Sequence, residues 1–372
     1  MKVKIYYGPR KAFDNFLPEN IRPKTLTKLV EISDRERHNI IIETPNNAKE
    51  KKKKKKFKNV IATTEEYSLL SDGGLNGLIT LLDEFAIENV YFQNPPSSIV
   101  NQLEKVYEKV SKENYVYKNI SFEMLKTFSE KFTSEILGQE EAKDRLLVNL
   151  YQVAKSYNRG KPLVLMLYGP TGVGKTETAK LLASVLGEKL FRKQFSMFHT
   201  DSSANYIFGA SHNSSSLSRD LLERESNVIL FDEFDKPNNV FYSAFYQLFD
   251  EGEFKDKNYK VNLRNSIIFC TSNFTSENQI RQVLGDAIYS RFDGFIEYRN
   301  LTLTVINQLI SKSFHNLVNS LDTADRAIIN EQKYLKELQS NSSGLKNARE
   351  LDKFVKEYVF TEILKKSFFK KV

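Results

Sequence analysis

The chain has 372 residues, enough for two or three domains, and 40% of them are hydrophobic, enough to build ordinary cores and to set aside global disorder. A single cysteine, Cys270, rules out an internal disulfide, and His38, His199, His212 and His315 are too scattered for a metal site. The apolar stretches are too short for a membrane span and residues 1–10 lack the core of a signal peptide, so a reducing cytoplasm is the expected compartment.

The net charge of +8 is local: Lys49, the lysines at 51–56 and Lys58 are eight cations against Glu50, so this run carries +7 and the rest of the chain about +1. Such a run reads as a solvated, self-repelling loop between two strands, and a nucleic-acid or anionic-lipid contact through Lys49 to Lys58 is the less favoured reading.

Short β-rich runs at 3–7, 39–42, 59–63 and 89–92 alternate with helical patterns at 75–85 and 98–110, which predicts a small α/β domain over residues 1–120. Its first turn, Gly8-Pro9, follows a strand without a Gly-Lys pair and resembles a nucleotide-binding module stripped of its phosphate lysine. Docking or assembly suits such a domain better than catalysis. Residues 121–135 turn polar and helical and read as a connector.

The apolar run 163–167 leads into Gly169-Pro170-Thr171-Gly172-Val173-Gly174-Lys175-Thr176. The spacing fits G-x-x-x-x-G-K-[ST], in which backbone N–H groups close around phosphate oxygens and the lysine reaches the terminal phosphates. The helix-forming segment 177–186 follows, so its N-terminal dipole faces the anion. A second buried-strand pattern, 228–231, runs into Asp232-Glu233, where one acid can hold Mg²⁺ and its neighbour can orient or deprotonate water. A third, 266–271, ends in Ser272-Asn273, whose amide can read a γ-phosphate or align water. Beyond residue 299, Val305, Leu309, Phe314, Leu317 and Leu321 form one helical stripe and Leu345, Ala348, Leu351, Val355, Val359 and Ile363 another, its start marked by Gly344.

Ile136-Leu137-Gly138-Gln139, the phosphate loop, Asp232-Glu233-Phe234-Asp235-Lys236, Thr271-Ser272-Asn273, Ser290-Arg291-Phe292-Asp293 and Asn347-Ala348-Arg349 together resemble the ordered motifs of the AAA+ superfamily, in its Clp branch of ring ATPases. The resemblance implies an α/β fold, with an αβα P-loop nucleotide domain over residues 136–298 and an α-helical lid over 299–372. It also implies ATP and Mg²⁺ as ligands, self-association into a hexameric ring, and a protein substrate that the motor remodels or unfolds. Position by position, it places Leu137 and Gly138 near adenine, Lys175 on the β- and γ-phosphates, and Thr176 and Asp232 on the metal. Glu233 becomes the general base and Asn273 the first sensor, Arg291 the finger given to a neighbour's ATP, and Arg349 the second sensor, reaching in from the lid.

Clp unfoldases carry an aromatic-aliphatic-glycine pore loop between the phosphate loop and the acidic strand. Here that interval reads Asn205-Tyr206-Ile207-Phe208-Gly209-Ala210, followed by the polar stretch 212–216. One alignment makes 206–209 a modified pore loop. The other matches 207–210 to the segment before the loop and leaves no gripping loop, so a nucleotide-gated switch or assembly factor that does not thread polypeptide stays open as the alternative.

Overall fold

The structure is a computed structural model that describes residues 1–38, 54–197 and 201–367, with side chains of the last stretch described from Ser203 onward. The strand expected at 39–42, Lys49, the lysines at 51–53 and His199 lie outside the described residues. The chain divides into two compact units, one of residues 1–118, 197–227 and 237–266, the other of residues 119–196, 228–236 and 267–372.

The first unit is built on five parallel strands, β1 (Lys2–Tyr7), β2 (Lys24–Thr25), β3 (Lys56–Ala62), β4 (Ala86–Gln93) and β5 (Val110–Asn114), in the order β2-β3-β4-β1-β5. Alternation along β1 sends Val3 and Ile5 into the main core with Val60, Val90 and Phe92, while Tyr6 faces the opposite side with Phe13, Ile61 and Tyr91. Two helical expectations change. The pattern at 75–85 is split at Gly77 into Asp72–Asn76 and Leu78–Asp83, and the helix expected over 98–110 stops at Val106, because Tyr107 is extended and the chain turns into β5 beside β1. Lys56 and Lys58 belong to β3 rather than to a loop, and Lys55 is ion-paired with Glu36 at 2.5 Å.

Seven more strands follow: β6 (Leu163–Tyr168), β7 (Phe191–Gln194), β8 (Val228–Asp232), the hairpin of β9 (Glu253–Lys255) and β10 (Lys260–Asn262), β11 (Ile267–Thr271) and β12 (Gly294–Glu297). The hairpin belongs to the first unit; the other five form the second unit's parallel sheet, in the order β12-β6-β11-β8-β7. Every residue of β6, β8 and β11 is buried, as expected for parallel strands covered on both faces. Cys270 lies inside β11, where burial pushes its thiol well above the ordinary range, in keeping with a small buried hydrophobe.

Residues 121–135 correct the connector reading. Ser121 caps a helix, Phe122–Glu135, accepting from the Met124 N–H at 3.2 Å, and Leu125, Phe128 and Phe132 sit in the same core as Leu165, Leu182 and Phe269. The polar residues that made the segment look like a linker are the solvent face of an amphipathic helix.

The C-terminal part of this unit is helical throughout: Leu303–Ser320, Thr323–Ile328, Glu331–Ser340 and Ala348–Ser367. The first stripe holds at Phe314 and is one residue off at Val305, Leu309 and Leu317: the helix buries Ile306, Ile310, Phe314 and Val318, whereas those three flank that face and are only partly buried. The second stripe holds, with Leu351, Val355, Val359 and Ile363 buried against Tyr334 and Leu338.

Candidate active site

Parallel strands deliver their carboxyl ends to one edge of a sheet, which is where doubly wound folds place their ligands. At that edge β6 runs into the glycine-rich octapeptide, β8 into Asp232-Glu233 and β11 into Ser272-Asn273, and β11 pairs with both β6 and β8. The result is a cavity of about 570 Å³ lined by Leu137, residues 171–177, Asp232, Glu233, Asn273, Leu301, Leu309 and Arg349, within the range of small-molecule sites.

The loop needs its glycines. Gly169 has φ +127° and a Cβ there would meet the Tyr298 carbonyl oxygen at 2.1 Å; Gly174, at φ +113°, would meet Ile136 Cγ2 at 2.8 Å. Lys175 begins the helix Lys175–Leu186 and is only 8% exposed. Its Nζ donates to the carbonyl oxygens of Gly169 and Pro170, each at 2.6 Å, and to Asn273 Oδ1 at 3.4 Å. Burial pushes this ammonium down to about 8, against the upward pull of the Asp232 and Asp235 carboxylates. A buried cation held only by neutral oxygens and distant carboxylates is a strong receptor for an anion.

Asp232, 7% exposed, has both oxygens engaged. Oδ1 accepts from Thr271 Oγ1, and Oδ2 accepts from Nε of Arg192 at 3.0 Å and from its Nη2. Glu233 sits at φ +56°, a left-handed conformation rare for a non-glycine residue and typical of backbone held in place for a function. Its N–H donates to Thr271 Oγ1 at 3.0 Å, and its Oε2 accepts from Gln194 Nε2 at 3.2 Å.

Arg192 and Gln194 are the residues that sequence reasoning missed as site components; Thr271 entered it only as the first residue of the Thr271-Ser272-Asn273 motif, without a role. The register of β7 against β8 pairs Arg192 with Leu230 and Gln194 with Asp232, which brings both side chains to the acidic pair. The strand reads Phe191-Arg192-Lys193-Gln194, polar at three successive positions, so the sequence carried no alternation that would single out these two.

The cavity does not collect every candidate. Gly138 lies off its lining, at φ +74°, with space for a Cβ closed by Val305 Cγ2 at 2.8 Å. Arg291 lies off it too, in the turn after the helix Asp286–Tyr289, its Nη1 donating to the Ala287 carbonyl. From the helical end, Asn347, Ala348 and Arg349 reach the phosphate loop: the Ala348 N–H donates to the Gly172 carbonyl at 3.0 Å, and Arg349 joins the lining.

The donor chemistry suits nucleotide and magnesium. A backbone that leaves no room for Cβ atoms, followed by a lysine at a helix start, is a phosphate cradle, and the Thr176 hydroxyl with the Asp232 carboxylate is a hard-oxygen pair of the kind Mg²⁺ takes with substrate phosphates and water. Arg192 must release Oδ2 for direct ligation by that oxygen, whereas a contact through water leaves the ion pair in place.

Tyr206 and Phe208 lie in the first unit, on the helix Asp201–Phe208. Tyr206 is half-buried and its hydroxyl donates to Asp220 Oδ2 at 2.5 Å, with burial raising its pKa far above the ordinary value; Phe208 is 39% exposed and packs against Phe241. Gly209, at φ +79°, follows the helix, and Ser211 to Ser216 make a turn closed by the Ser214 N–H on the Ser211 carbonyl at 3.0 Å.

The model of the AAA domain (Cdc48 subfamily) matches residues 161–348, which carry the whole phosphate edge and the first lid helices. Among curated proteins, the chain is 28% identical over 224 residues to the ATP-dependent Clp protease ATP-binding subunit ClpL of Staphylococcus aureus strains USA300 and NCTC 8325, and 29% identical to that of strain MRSA252. The aligned part is 54% of this chain and 32% of each relative, so the chain spans about a third of the length of the curated relatives it matches. Among the described residues no helix is long and apolar enough to cross a membrane. The chain belongs to the AAA domain family.

Proposed function

We propose that this protein binds ATP with Mg²⁺ in the cavity at the sheet edge, hydrolyses it, and uses the energy to act on a protein partner. The supporting observation is that Lys175, Thr176, Asp232, Glu233, Asn273 and Arg349, drawn from four separate segments, line one cavity. The residues take the following roles. Lys175 grips the β- and γ-phosphates, and the N–H groups of 171–176 close around them. Thr176 and Asp232 would hold the metal, which when bound neutralises charge on the phosphate oxygens. Glu233, its backbone fixed by Thr271 and its carboxylate by Gln194, takes the proton of the attacking water. Asn273, within reach of Lys175, positions that water and the γ-phosphate. Leu137 borders the adenine, with Gly138 behind the cavity wall shaping the turn that carries it, and Arg349 ties nucleotide state to the helical lid. Arg291 acts on the ATP of a neighbouring subunit in a hexameric ring; its place off the cavity lining accords with a role outside its own site.

Glu233→Gln tests this chemistry. The amide keeps the shape and loses the base, so fluorescent ATP analogue binding is retained while phosphate release falls by a factor of 10² or more, the scale of general-base catalysis. Turnover at the wild-type rate would refute the assignment.

For the mechanical step, Tyr206 favours the reading without threading. A pore-gripping aromatic needs a free ring, whereas Tyr206 is tied to Asp220 within a helix, and the following turn is short and polar. On this reading the protein is a cytoplasmic, nucleotide-gated switch or assembly factor that holds and releases a protein partner. Unfolding of a labelled client that is lost in Tyr206→Ala/Phe208→Ala, with ATP turnover intact and the helix still folded, would return the case to a threading motor.

A further inference from the structure

In the first unit, three neighbouring strands, β3, β4 and β1, end together around a side chain that lies far from them in sequence. Glu223, the residue capping the helix Leu217–Leu222, places its carboxylate there. Its Oε1 accepts from Asn94 Nδ2 at 2.9 Å, from Gln93 Nε2 at 2.9 Å and from Thr64 Oγ1; its Oε2 accepts from the Arg10 N–H at 3.0 Å and from Gln93 Nε2 at 3.2 Å. The receiving side chains are built for the task. Asn94 is 0% exposed, Gln93 1% and Thr64 3%. The Gly8 N–H donates to Asn94 Oδ1 at 2.8 Å, which turns the Asn94 amide nitrogen toward Glu223, and a Cβ on Gly8 would meet Tyr115 Cβ at 2.5 Å.

The neighbours of Glu223 are fastened to the same domain. Arg224 stacks its guanidinium 3.9 Å above the Tyr117 ring, Arg219 Nη1 donates to Ser68 Oγ at 2.6 Å, and His212 sits between the Leu70 carbonyl at 2.8 Å and Asp72 at 2.9 Å. All of the receiving residues precede the family-matched region, and all of the seated ones lie within it.

We propose that the carboxyl edge of the N-terminal sheet is a carboxylate receptor whose ligand is Glu223, a latch that holds residues 1–118 on the segment running into the Asp232–Glu233 strand. This replaces the reading of the Gly8-Pro9 turn as a relic phosphate site. The donors are two amides, a hydroxyl and one backbone N–H, with no cationic side chain among them; the Arg10 guanidinium is paired with Asp14 instead. That set matches one planar, singly charged group, whereas a nucleotide phosphate asks for a cation as well. The latch stands independently of the nucleotide chemistry.

Hydrogen–deuterium exchange on the full chain tests it. Glu223→Gln keeps the side-chain volume but turns an NH₂ toward donors, so the Arg10 amide and the amides of 217–224 exchange at least tenfold faster than in the wild type, and Glu223→Ala does the same. Glu223→Ala/Asn94→Ala exchanges no faster than either single variant. Sodium acetate restores protection in Glu223→Ala and inorganic phosphate does not. Wild-type exchange in both Glu223 variants, or independent and additive effects of the two alanine substitutions, would overturn the latch. Rescue by phosphate alone, or by neither anion, would overturn the receptor's assignment to carboxylates.

Discussion

Replacing Gly172 by alanine perturbs the phosphate loop without touching a charged group. Gly172 has φ +71°, and a Cβ there would lie 2.8 Å from Asn347 Cβ and 3.1 Å from its Cγ. The left-handed backbone costs an alanine roughly 1–2 kcal/mol. Relief of the overlap must move Asn347, and this strains the Ala348 N–H bond to the Gly172 carbonyl, 3.0 Å in the native chain, worth about 1 kcal/mol net. The expected loss is therefore about 2–3 kcal/mol, a fall in Tm on the order of 4–12 °C for a unit of this size. Calorimetry of Gly172→Ala reads the total, and Gly172→Ala in an Asn347→Gly background separates its parts. Asn347 also caps the last helix through the Glu350 N–H at 3.0 Å, and its change to glycine alone costs only a few tenths of a kcal/mol. With the overlap gone, Gly172→Ala should cost only the backbone contribution. An equal loss in both backgrounds would refute the clasp between the loop and the last helix, and no loss in either would refute the left-handed conformation.

Arg192→Ala should have effects of opposite sign. Without nucleotide it leaves Asp232 Oδ2 short of its donors and lowers stability by about 1–3 kcal/mol, less than for a fully buried pair because the arginine side chain is 40% exposed. With nucleotide it frees that oxygen, so the magnesium concentration for half-maximal ATP-analogue binding falls; unchanged stability would show that the ion pair contributes nothing. Tyr206→Phe removes one charge-assisted hydrogen bond to Asp220 and should lower Tm by the equivalent of roughly 1–2 kcal/mol with ATP turnover retained; a variant as stable as the wild type would refute the structural role of that hydroxyl. Arg291→Ala should bind ATP at near wild-type affinity and hydrolyse it slowly. Mixing it with Glu233→Gln subunits should recover turnover if each site draws on two chains, and the absence of any recovery would count against shared sites.

The phosphate edge was legible because each of its parts is a contiguous motif at the end of an apolar run. A parallel sheet brings such ends together whatever the loops between them do, so the octapeptide, Asp232-Glu233 and Asn273 could be assembled from their order alone. The lid was legible as helices but not in register: Val305, Leu309 and Leu317 are apolar yet flank the buried face, since a helix in a small lid has apolar residues on more than half its circumference and periodicity does not pick the centre. Residues 121–135 were legible as helical but not as part of the core, for the opposite reason: three core residues are diluted by a polar face.

Arg192 and Glu223 show what a linear reading loses. Arg192 meets Asp232 across 40 positions, and Glu223 meets Gln93 and Asn94 across 130 and 129. In the sequence each is one more surface charge, because the features that give it meaning, a β7–β8 register and the convergence of three strand ends, are tertiary. A lone charged residue written beside an apolar strand or helix is expected to face water. What singles out these two is the set of buried donors or acceptors arranged to receive them. Without Glu223 the amides of Asn94 and Gln93 keep the Gly8 carbonyl, at 2.9 and 3.2 Å, but the buried Thr64 hydroxyl loses the acceptor of its proton, and leaving a buried donor unsatisfied costs about 1–3 kcal/mol. The N-terminal sheet therefore turns donor capacity beyond its own bonds toward an acceptor at its carboxyl edge. In this chain the acceptor is supplied by the segment that leads, nine residues later, into Asp232.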